Sequence, residues 1–341
     1  MMRLPCFDYH APRTVEEAAT VLAGSGPGAM LLAGGTDLLP NMKRRHQVPG
    51  TLIGLRNVNE LKMIENSRGL TLGAGLTLTE VVREPRIRET YTGLWQAAVQ
   101  VATPHLRNTG TLGGNLCLDT RCNYYNQNHE WRKAIGFCLK KDGDTCWVAT
   151  SSPKCLAVSS TDTAPALMAL GARVRLVSSR GERVVTLPDL YRNDGIDYLT
   201  RRPDEILTEV MLEPASGWRS TYWKLRRRGS FDFPVLSVAA AARFGPGEIV
   251  VDARIVLGAV SSRPILSEAA SKSLIGKPLT DESIEEAASL SFRAAKPMDN
   301  TDFVLHWRKR VTREFTTYAL RELRGDDMRK ERLRIARLPI S

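Results

Sequence analysis

The N-terminal part of the chain has one helical and two strand-like apolar patterns. Thr14 and Glu17 match a capping box, and apolar residues then recur at helical spacing until Gly24, which we expect to end the helix. These apolar positions are Val15, Ala18, Ala19 and Leu22. Short apolar runs at residues 30–32 and 51–55 predict two strands. Together these elements predict a small βαβ-like unit.

The middle of the chain predicts a mixture of helices and antiparallel strands. A strand at residues 70–74 precedes a second capping box, formed by Thr77 and Glu80. Helical spacing follows over residues 87–101, and Pro104 is expected to end that helix. Later strands are predicted at residues 173–177, 182–187 and 206–212, the first two as a β-hairpin.

The C-terminal part of the chain places strands before helices. The strands are predicted at residues 220–226, 235–244 and 249–259, and the helices at residues 281–295 and 302–323. This order is typical of an α+β domain. We place the boundary before this domain near residues 215–217.

Two glycine turns interrupt the apolar segments, one at residues 33–38 and the other at residues 109–115. Such turns can direct backbone N–H groups at a phosphate, because glycine has no Cβ and tolerates unusual φ angles. A plain strand-to-helix turn is the alternative for either one alone. Neither matches the dinucleotide fingerprint or the P-loop. The pair favours a nucleotide cofactor with an extended pyrophosphate, held by another fold.

The formal charge of +11 at pH 7 is compatible with nucleic acid, an acidic substrate or an acidic partner protein. The clearest basic runs, residues 43–46 and 226–228, lack the interleaved aromatics of single-strand binders. A solvated face or a protein interface is therefore favoured. The chain has neither a long apolar run nor a recognisable secretion signal. We expect a cytoplasmic protein that binds neither nucleic acid nor membrane.

Five of the six cysteines lie between Cys117 and Cys155, in a stretch without helical or strand periodicity. Their spacing lacks the paired C-x2-C knuckles of structural zinc sites and differs from the ferredoxin runs. A long irregular segment inside a compact domain needs something to order it. Free thiols, structural zinc and an iron–sulfur cluster are the three interpretations. We favour the cluster, because widely spaced thiolates can each bind one iron.

Other side chains of this loop suit a buried anionic cluster. The basic residues that would offset its charge are Arg121, Arg132, Lys133, Lys140, Lys141 and Lys154. The aromatic residues that would limit its exposure to solvent are Tyr124, Tyr125, Trp131, Phe137 and Trp147.

The two glycine turns, followed by Asp162 and the segment Tyr222-Trp223-Lys224-Leu225, resemble the FAD-binding subunit of the xanthine dehydrogenase family of molybdenum hydroxylases. The resemblance covers nearly the whole chain. The inserted loop at residues 117–158 looks most like that of 4-hydroxybenzoyl-CoA reductase β subunits, in which it binds a [4Fe–4S] cluster. By position, the ligands would be Cys122, Cys138, Cys146 and Cys155, which leaves Cys117 without a ligand role.

The resemblance implies an α+β fold of PCMH type, with two FAD-binding subdomains, the cysteine-rich insertion and a C-terminal α+β domain. The implied limits are residues 1–56, 57–215 (with the insertion at 117–158) and 216–325, followed by a charged tail at 326–341. The implied cofactor-binding residues are Leu32, Ala33, Gly34, Gly35, Thr36, Asp37, Leu38, Thr103, Thr111, Gly113, Gly114, Asn115, Asp162 and Lys224. Of these, the two turns would hold the pyrophosphate, Asp162 the adenosine side, and Lys224 the flavin.

The function implied is that of an electron-transfer subunit with no catalytic residue of its own. A ferredoxin-type donor would pass electrons to the cluster, and the cluster would pass them to FAD. From FAD the electrons would go to [2Fe–2S] and molybdenum-cofactor subunits in a dimer of heterotrimers. The complex would reductively dehydroxylate an aromatic acyl-CoA. The alternatives are the flavin subunit of an aldehyde or N-heterocycle oxidoreductase and, from another class, a zinc-stabilised nucleic-acid-binding module.

Overall fold

The computed structural model describes residues 3–66, 69–229 and 231–337, which form three sheets with helices packed around them. The strands are β1 (Asp8–His10), β2 (Ala29–Leu32), β3 (Thr51–Gly54), β4 (Ile64–Glu65), β5 (Leu70–Gly73), β6 (Arg173–Ser178), β7 (Gly181–Thr186), β8 (Ile206–Leu212), β9 (Trp218–Leu225), β10 (Leu236–Phe244), β11 (Val250–Gly258) and β12 (Ile265–Leu266). The helices are α1 (Val15–Ser25), α2 (Leu38–Lys43), α3 (Leu78–Arg83), α4 (Pro85–Thr90), α5 (Thr92–Val99), α6 (Pro104–Arg107), α7 (Leu112–Leu116), α8 (His129–Ala134), α9 (Thr163–Ala169), α10 (Glu268–Ser273), α11 (Asp281–Ala294), α12 (Leu305–Arg324) and α13 (Arg329–Arg337).

The first sheet is parallel, with the order β1-β3-β2, and α1 packs against it through Ala18, Ala19 and Leu22. Thr14 caps α1 as predicted, by accepting a hydrogen bond from the Glu17 amide. The predicted end of this helix is wrong. It continues past Gly24 to Ser25, because Gly26 is the residue that takes a positive φ of 68°.

The second sheet is antiparallel, with the order β4-β5-β8-β6-β7, and contains the predicted hairpin. The Thr77 and Glu80 capping box begins α3, with both of its hydrogen bonds present. The expectation for Pro104 is wrong, because the preceding helix already ends at Val99. Pro104 instead begins α6, at the helical position where proline loses no hydrogen bond.

The third sheet is also antiparallel, with the order β12-β11-β10-β9, and is covered by helices on both faces. Side chains of β10 alternate between two cores. Ala239 and Ala241 pack with α5 and α9 into the core of the second sheet. Val238, Ala240 and Ala242 face α12 in a separate core. This sheet therefore joins the C-terminal part of the chain to the middle part.

The cysteine loop is more ordered than its lack of periodicity predicted. It contains α8, which Asn128 caps by accepting a hydrogen bond from the Trp131 amide. Arg121 and Val158 form an antiparallel bridge that closes the loop at its base. These contacts make the loop a folded insertion.

Residues Arg329–Arg337 of the charged tail form α13. Arg332 of this helix lies 4.1 Å from the Trp223 ring centroid and donates a 2.8 Å hydrogen bond to Glu322.

Across residues 3–66, 69–229 and 231–337, the structure has no helix with the length and apolar character of a membrane span.

Candidate functional site

The two glycine turns, far apart in the sequence, lie against each other. A Cβ on Gly34 would overlap the Thr109 carbonyl, and a Cβ on Gly110 would lie 3.3 Å from Thr36 Oγ1. Gly35 has a φ of +71°, a conformation that favours glycine. The geometry of the first turn therefore depends on both of its glycines.

The backbone amides of the two turns differ in how they are used. In the described parts of the chain, none of the amides of residues 33–38 has a hydrogen-bond partner. The amides of residues 112–115 all have a partner, because they donate hydrogen bonds to Leu76, Ala74 and Thr111. Since unpaired amides need acceptors, the first turn fits an anionic group such as a pyrophosphate, and the second turn acts mainly as its support.

The side chains of the second turn connect it to neighbouring elements. Thr111 Oγ1 accepts a 3.0 Å hydrogen bond from the Gly114 amide. Asn115 Oδ1 accepts hydrogen bonds from the Thr161 hydroxyl at 2.8 Å and the Thr163 hydroxyl at 2.7 Å. Asn115 thus fixes the turn to the start of α9, where Asp162 lies.

Other predicted cofactor residues have clear structural roles. Gly113 packs so closely on Ala74 that a Cβ would lie 2.7 Å from the alanine Cβ. Leu38 packs with Met42 and Leu52. Thr103 caps α6, and Leu32 accepts a hydrogen bond from the Leu55 amide at the end of β2.

Asp162 and Lys224 form a buried ion pair at 3.0 Å. Tyr222 donates a 2.6 Å hydrogen bond to the other Asp162 oxygen, and Lys224 also donates to the Gln100 carbonyl at 3.1 Å. Burial raises the pKa of Asp162 and lowers the pKa of Lys224, and each charge opposes the shift of the other. Because the two residues are in contact, they would face the same part of a cofactor.

Asp37, in the first turn, faces the cysteine loop. Its carboxylate pairs with the Arg121 guanidinium and accepts a 3.2 Å hydrogen bond from the Asp119 amide. Burial raises the pKa of Asp37, and the Arg121 charge opposes that rise. Asp37 therefore joins the glycine turn to the cysteine loop.

The four cysteines proposed as ligands come together at the centre of the loop. Cys122, Cys138, Cys146 and Cys155 are all buried and line one small, partly open space. Cys117 lies elsewhere, packed against the core of the second sheet. Three of the aromatic residues expected around the cysteines, Tyr124, Tyr125 and Trp147, line the same space.

Burial and one nearby lysine determine the electrostatics of these cysteines. Burial raises the pKa of Cys122 to about 12 and that of Cys155 to about 11, so thiolates here require a positive partner. Lys140 lines the same space, and its ammonium group is held by Asp119 Oδ1 at 2.7 Å and the Gly195 carbonyl at 2.7 Å. The loop therefore places a lysine, paired with Asp119, beside the thiols.

In the part of the chain that the structure describes, no three His, Cys, Asp or Glu side chains are placed to hold one ion. A zinc ion would draw its four sulfurs to about 2.3 Å from one point. A four-iron cluster binds each thiolate through a different iron, so its ligands lie farther apart.

Several residues of the site were not predicted as such from the sequence. Gly195 lies close to Cys155, since a Cβ added to this glycine would be 2.6 Å from Cys155 Sγ. Asp119 accepts hydrogen bonds from Lys140 at 2.7 Å and from the Tyr125 hydroxyl at 2.9 Å. Asp119 belongs to the segment Asp119-Thr120-Arg121-Cys122, through which the loop resembles its relatives, but no local pattern marks Gly195. The contacts of both residues are made only in the folded chain.

Comparisons with known proteins agree with this geometry. Residues 5–214 match the family described as the FAD binding domain in molybdopterin dehydrogenase, and residues 220–323 match the CO dehydrogenase flavoprotein C-terminal domain. The chain therefore belongs to the FAD-binding subunits of the molybdenum hydroxylase family, which are oxidoreductase subunits.

Individual relatives span several activities. The chain is 31% identical to the aldehyde oxidoreductase FAD-binding subunit PaoB of Escherichia coli, over 90% of this chain and 96% of the relative. It is 30% identical to the nicotinate dehydrogenase FAD-subunit of Eubacterium barkeri, over 82% of this chain and 83% of the relative. The carbon monoxide dehydrogenase structure from Hydrogenophaga pseudoflava superposes with a TM-score of 0.77 at 26% identity, covering 94% of this chain and 98% of the other. The fold is thus the medium-chain FAD-binding fold with a C-terminal domain.

Proposed function

We propose that this chain binds FAD between its two glycine turns, with the pyrophosphate on the amides of residues 33–38. The observation that carries the proposal is the set of unpartnered amides in this turn, which family membership links to FAD. Thr36 and Thr111 would add hydroxyl groups beside the phosphates. Asp162 and Lys224 would face one side of the cofactor as a preformed ion pair.

We further propose that Cys122, Cys138, Cys146 and Cys155 bind a [4Fe–4S] cluster. Their convergence on one space supports this ligand set. Lys140 would hold a positive charge beside the cluster, while Tyr124, Tyr125 and Trp147 would limit water. Membership of a flavoprotein family also favours this function over a zinc-stabilised nucleic-acid-binding module.

In this proposal the chain is an electron-transfer subunit of a cytoplasmic complex. FAD, which exchanges electrons singly or in pairs, would link the cluster and a ferredoxin-type donor with [2Fe–2S] and molybdenum-cofactor subunits. The chain's own residues would position the two cofactors and exclude water from them. We expect a dimer of heterotrimers, in which another subunit holds the substrate.

Two substrate classes are proposed for the complex. The cysteine insertion favours reductive dehydroxylation of an aromatic acyl-CoA, as in the 4-hydroxybenzoyl-CoA reductases that it resembles. The 31% identity to an aldehyde oxidoreductase subunit over 90% of this chain favours aldehyde oxidation as the second candidate. Assays of the purified complex with aromatic acyl-CoA plus a low-potential donor, and with aldehydes plus an acceptor, separate the two.

Cofactor analysis of the full-length chain tests both binding proposals. We expect about one FAD, and about four iron and four sulfide per chain. A Cys138→Ser variant should lose most of the iron and keep FAD, while Cys6→Ser, which changes an exposed cysteine, should retain both. Unchanged iron in Cys138→Ser, or FAD without iron and sulfide in the wild type, would overturn the cluster. A wild-type chain that binds no FAD would overturn the flavin site.

A further inference from the structure

Asp37 and Arg121 form a direct ion pair between the first glycine turn and the cysteine loop. One Asp37 oxygen pairs with the Arg121 guanidinium, and the other accepts the Asp119 amide at 3.2 Å. Both partners precede Cys122 in the same short segment. The side chains of the pair are only 21% and 10% exposed, so solvent screens their interaction little.

Arg121 is held rigidly at this junction. Its backbone exchanges hydrogen bonds with Val158 at 2.8 Å and 2.7 Å. The Phe233 ring covers its guanidinium, with the centroid 4.6 Å from the central carbon. A displacement of the segment before Cys122 therefore cannot be absorbed by free movement of the arginine side chain.

The same segment is fixed from the cysteine side. Asp119 binds the Lys140 ammonium at 2.7 Å and the Tyr125 hydroxyl at 2.9 Å. Lys140 and Tyr125 both line the space between the four cysteines. A continuous set of polar contacts thus runs from this space through the Asp119 side chain and backbone amide to Asp37, whose other oxygen binds Arg121.

We propose that the Asp37–Arg121 pair couples the two cofactor sites, so that a filled cysteine loop tightens FAD binding at the glycine turn. The inference rests on the proposed function of both sites. By linkage, bound FAD favours the filled loop to the same degree. Arg121 is then a positioning residue, and Asp37 contributes to FAD binding through the shape of its turn.

A purely structural ion pair would behave differently. Its loss would lower the free energy of unfolding, but would leave the FAD affinity independent of the state of the loop. The distinguishing quantity is therefore the ratio of two FAD dissociation constants, one for chains without the cluster and one for chains with it.

The test uses the full-length chain, stripped of FAD and titrated with it by equilibrium dialysis. Cluster-loaded chains are compared with cluster-free chains carrying Cys138→Ser. We expect FAD to dissociate roughly tenfold more readily from the cluster-free chain, within the usual range of coupling. In an Asp37→Asn/Arg121→Met background this ratio should fall to about one. Replacing both members of a buried pair avoids leaving one charge unpaired.

Two further variants complete the design. Asp37→Asn alone keeps an acceptor for the Asp119 amide but leaves the Arg121 guanidinium without its carboxylate. It should also bring the ratio to about one. Arg173→Gln removes an exposed ion pair with Glu213, 3.0 Å in length, and should keep the wild-type ratio.

The possible results are distinct. If the cluster-loaded chain and the cluster-free Cys138→Ser chain bind FAD with equal dissociation constants, the coupling is overturned. The proposed cofactors are not affected by that result. A tenfold ratio that persists in the Asp37 variants would place the coupling elsewhere and overturn the inference. A wild-type chain that takes up FAD but no iron would instead overturn the proposed cluster, and this inference with it.

Discussion

The Lys224 ammonium lies 3.0 Å from the Asp162 carboxylate, and both side chains are almost completely removed from water. Lys224 lies on β9 and Asp162 immediately precedes α9, so the pair joins the C-terminal domain to the core of the second sheet. The Tyr222 hydroxyl, from the same strand, binds the second oxygen of Asp162 at 2.6 Å. Residues that the family resemblance assigned to cofactor binding thus also hold two parts of the fold together.

Replacing Lys224 with methionine should destabilise the protein strongly. The substitution leaves the Asp162 charge buried with Tyr222 as its remaining side-chain partner. Breaking one side of a buried pair typically costs about 3–5 kcal/mol. We expect the free energy of unfolding, measured by urea denaturation, to fall by about that amount.

The double variant Lys224→Met/Asp162→Asn is the matched control, because it removes both charges. It should recover a large part of the lost stability. If the single and double variants are equally unstable, the ion pair is not the cause of the loss.

Replacing Gly34 with alanine should separate the two glycine turns. A Cβ there would overlap the Thr109 carbonyl, which is backbone and cannot move aside alone. We expect FAD affinity, measured by equilibrium dialysis, to fall roughly tenfold or more, since a backbone displacement of this kind costs about 1–3 kcal/mol.

The matched control for this substitution is Gly24→Ala in α1. No atom lies within 4 Å of a Cβ at Gly24, and alanine favours the helix by up to about 1 kcal/mol. FAD affinity should be unchanged in this variant. Equal affinities in Gly34→Ala and the wild type would show that the contact between the turns does not shape the FAD site.

Local signals in the sequence were sufficient for much of the fold. β8 spans Ile206–Leu212 as predicted, and the Thr77 capping box forms both of its bonds. In both cases the determining contacts lie within a few residues or follow a simple period. β1, Asp8–His10, was missed because its three residues are all exposed and give no apolar pattern.

The candidate site depended on contacts that the sequence does not encode locally. Asp37 and Arg121 are 84 residues apart in the chain, and Asp162 and Lys224 are 62 apart. The family resemblance selected three of these residues, but as cofactor contacts and not as partners of one another. Pairing of this kind follows from the packing of whole sheets, which single-sequence patterns do not specify.

Replacing Gly195 with alanine should disturb the cysteine site without changing any proposed ligand. A Cβ at this position would lie 2.6 Å from Cys155 Sγ and 2.8 Å from the Ala157 Cβ. We expect the iron content per chain to fall well below that of the wild type, with FAD retained. Gly50→Ala, where no atom lies within 4 Å of a Cβ, should keep the wild-type iron content. Full iron in Gly195→Ala would argue against Cys155 as a ligand in this geometry.

His46 should make the stability of the protein depend on pH. Burial lowers the pKa of His46 to about 4, and its ring stacks on Tyr125 with centroids 4.3 Å apart. Its Nε2 donates to the Gln127 carbonyl at 3.2 Å, while Nδ1 is buried and has no partner among the described residues. Protonating Nδ1 in the folded chain would therefore bury an unpaired charged donor.

Because the folded pKa lies below the unfolded value of about 6.5, the unfolded chain binds more protons between these two values. The His46 contribution to stability is thus fully present above pH 6.5 and is lost as the pH falls toward 4. Between pH 7 and pH 5 we expect the wild type to lose roughly 1–2 kcal/mol more than a His46→Phe variant, which keeps the aromatic stack. Urea denaturation of both proteins at the two pH values measures this difference. Identical losses in the two proteins would mean that His46 titrates alike in the folded and unfolded chains.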